Sequence, residues 1–141
     1  YYPAVSSITT MTPYPHEYEH VSAKGRVVPG DAYVAAQGIE RIDLLKLDVE
    51  GAENLVLKGL DKTILAGRID AVQFEYGKVC ILTKFLLRDF YEFFSSRGYL
   101  VGKIYSDHVA FRDYDFAHED FRGANYLAVR RQREDLIDAV S

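Results

Sequence analysis

An α/β layered sheet is the fold class this sequence predicts, and three observations predict it. Residues 42–48 (IDLLKLD) are apolar on both faces, Ile42 and Leu44 on one and Leu45 and Leu47 on the other. That pattern marks a strand inside a parallel sheet covered by helices. The stretch that follows carries Ala52, Leu55, Val56, Gly59 and Leu60 at three- and four-residue spacing, the stripe of a helix packed on such a sheet. The whole chain then alternates strand, helix, strand, helix, strand, loop, strand, as right-handed crossovers require. Its 141 residues suit one domain and can bury roughly 70% of the surface of the unfolded chain.

Taken in order, residues 1–25 read as an irregular excursion with a short strand at 7–11. GRVVPG at 25–30 reads as a short edge strand ended by Pro29 and Gly30. Asp31 is placed to cap a short helix through Gln37, stopped by Gly38. After the strand and helix already named, RIDAVQFEYG at 68–77 is a second buried strand. A helix over about 83–97 follows, with Leu86, Phe90, Phe93 and Phe94 on its apolar face and Gly98 at the left-handed cap. YLVGKIYSDHVAFRDY is one strand and a loop, and ANYLAVRRQ at 124–132 is the last strand. With no long helix between them, the final two strands pair antiparallel. REDLIDAVS adds a short terminal helix. The expected division is an N-terminal excursion at 1–30, a sheet domain at 31–133 and a tail at 134–141.

Composition narrows the function. A net charge of -4 and an isoelectric point near 5.5 argue against nucleic acid as a partner, because phosphate neutralisation needs clustered Lys and Arg. Arg130, Arg131 and Arg133 read as a solvated strand end rather than a binding patch. The single cysteine, Cys80, excludes an internal disulfide. It fits a reducing, cytoplasmic setting and reads as a buried thiol. No apolar run is long enough to cross a bilayer, so no membrane partner is expected. The opening YYPAVSS carries neither an initiator Met nor a basic signal segment, so a fragment is the expectation.

The chemistry concentrates in IDLLKLDVEGAENLVLKGL, residues 42–60. Ligands in open α/β sheets sit at the carboxyl ends of the strands, and Asp48, Glu50 and Glu53 lie at or just past one. Strand alternation puts Lys46 and Asp48 on one face, where they can pair, and Glu75 ends the neighbouring strand. Helix capping is the simpler account: Asp is a favoured N-cap, and acids in a first turn complement the helix dipole by about 0.3–1 kcal/mol each. A functional site is the other. Neither a zinc cluster, a Walker loop, a serine elbow nor GxGxxG is present. His16, His20, His108 and His118 are scattered in polar loops. Asp107–His108 is a weak candidate base.

This segment resembles the signature of FkbM-type methyltransferases. The resemblance runs through Ile42, Asp43, Leu44, Lys46, Asp48 to Glu53, and Val56 to Gly59. AVSSITTM, AVQFEY, FFSSRGYLVGKI and ANYLAVR extend it over most of residues 4–131. It implies a Rossmann-like class I methyltransferase sheet with strand order 3-2-1-4-5-7-6. On that plan 42–48 is strand four, 69–75 strand five, and the last two strands are six and seven. It also implies S-adenosylmethionine as cofactor and methyl transfer to a hydroxyl of a sugar or secondary metabolite, a small-molecule or glycan acceptor. Asp48, Lys46 and Glu75 are then the catalytic candidates, Glu50, Glu53 and His108 the substrate-binding ones. Asp48 also faces the cofactor, and no protein metal site is expected. The family's glycine-rich loop and first three strands have no counterpart in this chain, so the expectation is the C-terminal half of such a domain. A homodimer partner or the missing half is then expected to cover the open edge of strand four. The alternative is an inactive half-domain that serves as an interaction or dimerisation module.

Overall fold

The structure, a computed structural model, describes residues 27–141. The irregular excursion, its strand at 7–11 and both His16 and His20 lie outside the described residues. Helix α1 spans Gly30–Ala36 with Pro29 at its N-cap position, and Val27 to Pro29 form no strand. The edge strand expected at 25–30 is thus not present over its described part. Proline fixes φ and lacks an N–H, so it starts a helix at no loss. Asp31 does not cap α1 either. Its carboxylate accepts from the backbone N–H of Lys62 (3.1 Å) and Thr63 (2.9 Å) and from Thr63 Oγ1 (2.6 Å). Asp31 therefore caps the start of α3 (Asp61–Leu65) across the chain.

Strand β1 (Ile42–Leu47) pairs in parallel with β2 (Ile69–Gly77), with Leu45 opposite Val72 and Leu47 opposite Phe74. Two helices join them, α2 (Glu53–Gly59) and α3, where the sequence predicted one. The break falls at Leu60, whose φ of -110° leaves the helical range as its side chain enters the core. Burial pushes the Asp31 carboxyl up, but its bonds from Thr63 and Lys62 outweigh that and hold it below its ordinary value. Its stabilising contribution is therefore present at neutral pH and lost as pH falls through the depressed value. Asp31→Ala is expected to lower stability by about 1 kcal/mol at pH 7. The difference should vanish in acid, as followed by urea melts at several pH values.

Beyond β2, helix α4 (Val79–Thr83) ends at Lys84 in a left-handed conformation (φ 56°), and α5 (Leu87–Ser95) begins after Leu86. The single helix expected over 83–97 is thus shorter, with a separate turn of helix before it. Its core face is as predicted: Phe90 and Phe94 stack on Phe74 of β2, with ring centroids 4.3 and 5.5 Å apart. The first N–H groups of α5 are met by two carboxylates. Asp89 accepts from Leu86 N (2.7 Å), and Glu119 accepts from Leu87 N (3.3 Å) and Arg88 N (3.0 Å). Glu119 also takes hydrogen bonds from the Tyr76 and Tyr114 hydroxyls, so it pins the loop before the last strand to the sheet and to α5.

Where one strand and a loop were expected, the chain makes a hairpin. Strands β3 (Tyr99–Ile104) and β4 (Val109–Phe111) pair antiparallel, and Tyr105 N donates to His108 O across the turn at 2.8 Å. Strand β5 (Arg122–Arg130) inserts between β2 and β3, antiparallel to both. The sheet order is β1-β2-β5-β3-β4. Of the four pairings one is parallel, so the sheet is mixed, and the antiparallel final pair is as expected. Among the described residues β1 pairs with β2 alone, and Leu44 is 56% exposed. Its two apolar faces thus belong to an edge strand here, not to the interior strand that the sequence pattern predicted.

Of the arginines near the C-terminus, Arg131 is exposed as expected, but Arg130 and Arg133 are not part of a solvated strand end. Asp70, 0% exposed at the start of β2, draws in the guanidiniums of Arg41, Arg130 and Arg133. Arg133 also holds Asp135 (2.6 Å) at the start of α6 (Glu134–Val140), the short terminal helix predicted for the tail. Charge that looked superficial in sequence anchors the tail to the base of the sheet. No helix among the described residues is long and apolar enough to cross a membrane.

Candidate active site at the carboxyl ends of the parallel strands

The two parallel strands deliver their last side chains to one rim. On β1, Lys46 and the following Asp48 share a face by strand alternation, and Lys46 Nζ donates to Asp48 Oδ2 at 2.8 Å. Asp48 is 46% exposed on its side chain and makes no capping bond. The N-cap position of α2 is Ala52, with no side-chain cap. The capping account therefore fails for Asp48. The bond to Asp48 is also what holds the Lys46 ammonium above its ordinary pKa.

Between strand and helix the chain turns at Val49–Ala52, closed by Ala52 N donating to Val49 O at 3.3 Å. Both central residues have positive φ, Glu50 at 50° and Gly51 at 100°, the geometry of a type I′ turn. A non-glycine residue held there stores strain, a feature that clusters at functional sites. Gly51 is required twice over. Its φ excludes an L side chain, and a Cβ would lie 2.5 Å from Val79 Cγ1. Gly51→Ala is expected to lower stability by about 2–3 kcal/mol, measured by equilibrium denaturation. Glu53, 6% exposed, accepts from Val49 N at 3.3 Å. It closes the turn, so for Glu53 the structural account holds.

The surroundings of Glu75 disfavour its charge. Partial burial pushes its pKa up, and repulsion from Glu50, Asp48 and Glu53 adds to that, opposed by Lys46. Like charges gathered in one place disfavour full ionisation. The rim opens on a cleft of about 580 Å³ lined by Glu50, Glu53 and Glu75 together with Lys78, Asp120, Phe121 and Arg122. Neither Asp48 nor Lys46 is part of these walls. Lys103 Nζ holds Asp120 at 3.0 Å, and Phe121 is itself at positive φ (52°).

The sequence-predicted residues thus divide. Lys46, Asp48, Glu50, Glu53 and Glu75 come together. His108 does not join them. It sits in the β3–β4 turn at the same end of the sheet, its Nδ1 2.9 Å from Asp107 Oδ1 and its ring stacked on Tyr105. Three strand spacings, roughly 14 Å, separate β3 from β1. Cys80 is the buried thiol expected, its pKa pushed up to about 11 by burial, which removes it as a nucleophile. Sequence reasoning missed the 120–123 wall, which reaches the rim only because β5 inserts beside β2. No local pattern announces that pairing. Among the described residues no group of His, Cys, Asp and Glu has the arrangement of a metal site.

The model of the methyltransferase FkbM domain matches residues 4–101. Methyltransferase sdnD of Sordaria araneosa is 77% identical over 26 residues, which make up 18% of this chain and 10% of that protein. The aligned stretch therefore spans about a tenth of this curated relative. No solved structure matches the chain. With the family model covering well over half the sequence, this chain belongs to the FkbM methyltransferase domain family.

Proposed function

We propose that the rim formed by Lys46, Asp48 and Glu75 serves S-adenosylmethionine-dependent methyl transfer to a hydroxyl of a sugar or a secondary metabolite. The observation that carries this is the exposed Lys46–Asp48 pair, 2.8 Å apart, set beside a Glu75 whose pKa is raised. The strand order supports it: β1-β2-β5-β3 is compatible with the run 4-5-7-6 that the Rossmann-like class I plan would give.

The donor set fits this cofactor. A sulfonium, an ammonium and a ribose diol all suit carboxylates, and Lys46 offsets only one of those at the rim. Asp48 would hold it, and bound there it supplies an electrophilic methyl group. Asp48, fixed by Lys46, orients the acceptor hydroxyl. Glu75 takes the hydroxyl proton, a task suited to a carboxylate whose pKa is raised toward the working pH. Alignment and proton removal then supply most of the rate in a displacement of this kind. Glu50 and the 120–123 wall shape the acceptor side.

The test is transfer of isotopically labelled methyl from S-adenosylmethionine to a panel of sugars and polyhydroxylated metabolites. Label in an ether product, lost in Asp48→Asn, is expected; no labelled product from any acceptor would count against the reading. The second reading, an inactive module that binds a partner or a second copy, draws on Leu44, a large apolar side chain exposed on β1.

A further inference from the structure

Between β2 and β5 the ladder breaks where the cleft begins. Tyr76 stands opposite Ala124 and Gly77 opposite Arg122, so Gly123 is the extra residue of a β-bulge, held at φ 72°. Bulges gather beside active sites because they re-aim the residues around them. Here the bulge follows Phe121, a cleft wall that is itself at positive φ. The Phe121 ring leans on Tyr76, with centroids 5.2 Å apart. Gly77 and Gly123 line the same cleft and leave its backbone bare. A Cβ on Gly123 would stand 3.3 Å from Glu75 Oε1, and one on Gly77 would stand 3.7 Å from the same atom. The Glu75 carboxylate is thus approached over two residues without side chains. Positive φ accounts for Gly123. It does not account for Gly77, which is outside the left-handed region. A glycine within a strand marks the close approach of another backbone or of a ligand. The backbone is Gly123, whose Cα would lie 3.3 Å from a Cβ on Gly77, a contact that a small shift relieves. The cleft side of Gly77 is open to a ligand.

We propose that Gly77 and Gly123 form the floor of an acceptor subsite and set its breadth: the bare backbone lets the ring of a cyclic alcohol approach Glu75 broadside, with Phe121 as its wall. The inference rests on Glu75 as the group that meets the acceptor hydroxyl. A cleft of about 580 Å³ is of ligand-pocket size. A side chain at position 77 would fill the space beside the carboxylate. A broad acceptor would then lose its place, while a slender open-chain alcohol would still reach Glu75.

The test compares the full chain with its Gly77→Ala variant. In labelled methyl transfer, the variant should lose about tenfold or more in kcat/KM for cyclic alcohols relative to open-chain ones, as one misplaced methyl group can impose. Affinity for S-adenosylmethionine should be unchanged. Carbodiimide coupling of cyclohexylamine and of ethanolamine to Glu75, followed by peptide mass spectrometry, measures the same space without a methyl donor. It therefore judges the floor even where methyl transfer itself fails. Activation of the carboxyl is common to both amines, so their ratio reads space alone. The reference is the same ratio at Asp43, whose side chain is 93% exposed. Wild type should give the Asp43 ratio at Glu75, and Gly77→Ala should shift it several-fold toward ethanolamine. A wild-type ratio at Glu75 already far below that at Asp43 overturns the proposal, and so does a ratio unchanged in the variant. An equal loss of both acceptor classes with a lower Tm marks Gly77 as packing for Gly123 alone and overturns it too. Where the variant does not fold, the wild-type ratio decides.

Discussion

Asp70→Asn lowers the stability of this domain by about 3 kcal/mol, the largest single effect expected outside the core. Asp70 is fully buried, and the guanidiniums of Arg41, Arg130 and Arg133 converge on it. Removing one partner from a buried ion cluster leaves the others uncompensated, at about 3–5 kcal/mol. The lower end applies because Arg41 is half exposed and regains water. Against a total stability of about 5–15 kcal/mol that is a large fraction. Urea denaturation measures it, and a loss under about 1 kcal/mol would contradict the account. The rim should be little disturbed: Asp70 and Glu75 are five residues apart on β2, roughly 17 Å.

Glu75→Gln is expected to act in two opposite directions. It keeps the side chain's shape and removes the proposed proton acceptor, so turnover falls by about 10²–10⁴-fold. In wild type the rate should fall on acidification through a pKa above the ordinary glutamate range. Burial first, then the neighbouring carboxylates, raise it. The stability effect has the other sign. A carboxylate with a raised native pKa binds its proton more readily folded than unfolded. The stability it contributes is complete below the ordinary glutamate pKa and is lost as pH rises through the raised one. At neutral pH the substitution removes that repulsion, so Tm should rise slightly, by the equivalent of up to about 0.5 kcal/mol. A variant that keeps full turnover would remove Glu75 from the chemistry. One that loses turnover and stability together would mark it as structural.

Much of this architecture could be read from local chemistry. Runs apolar on both faces located β1 and β2, and strand alternation put Lys46 and Asp48 side by side. Phe90 and Phe94 at four-residue spacing gave the inner face of α5, and Gly98 gave its left-handed stop at φ 79°. The features that escaped reading depend on contacts far apart in sequence. Asp31 was taken as a cap for its own helix because Asp before an apolar run usually is one. It caps α3 instead, thirty-one residues on. Glu119 looks like one more loop acid, yet it binds the start of α5 and two tyrosines. Asp70 alternates as an ordinary strand residue, and its arginines, Arg41, Arg130 and Arg133, are distant in sequence. The two apolar faces of β1 predict burial, yet among the described residues only Leu47 of this strand is buried and Leu44 is 56% exposed, for no sequence pattern says which neighbour covers a face.

The central claim is that the exposed Asp48 and its neighbours at the carboxyl end of β1 receive a cationic methyl donor. Isothermal titration of S-adenosylmethionine into the full chain, for wild type and Asp48→Asn, tests it most directly. Saturable heat in wild type, with affinity at least about tenfold weaker in the variant, a difference of about 1.4 kcal/mol, is the predicted result. Identical titrations for the two proteins, or no heat at millimolar ligand, would contradict it.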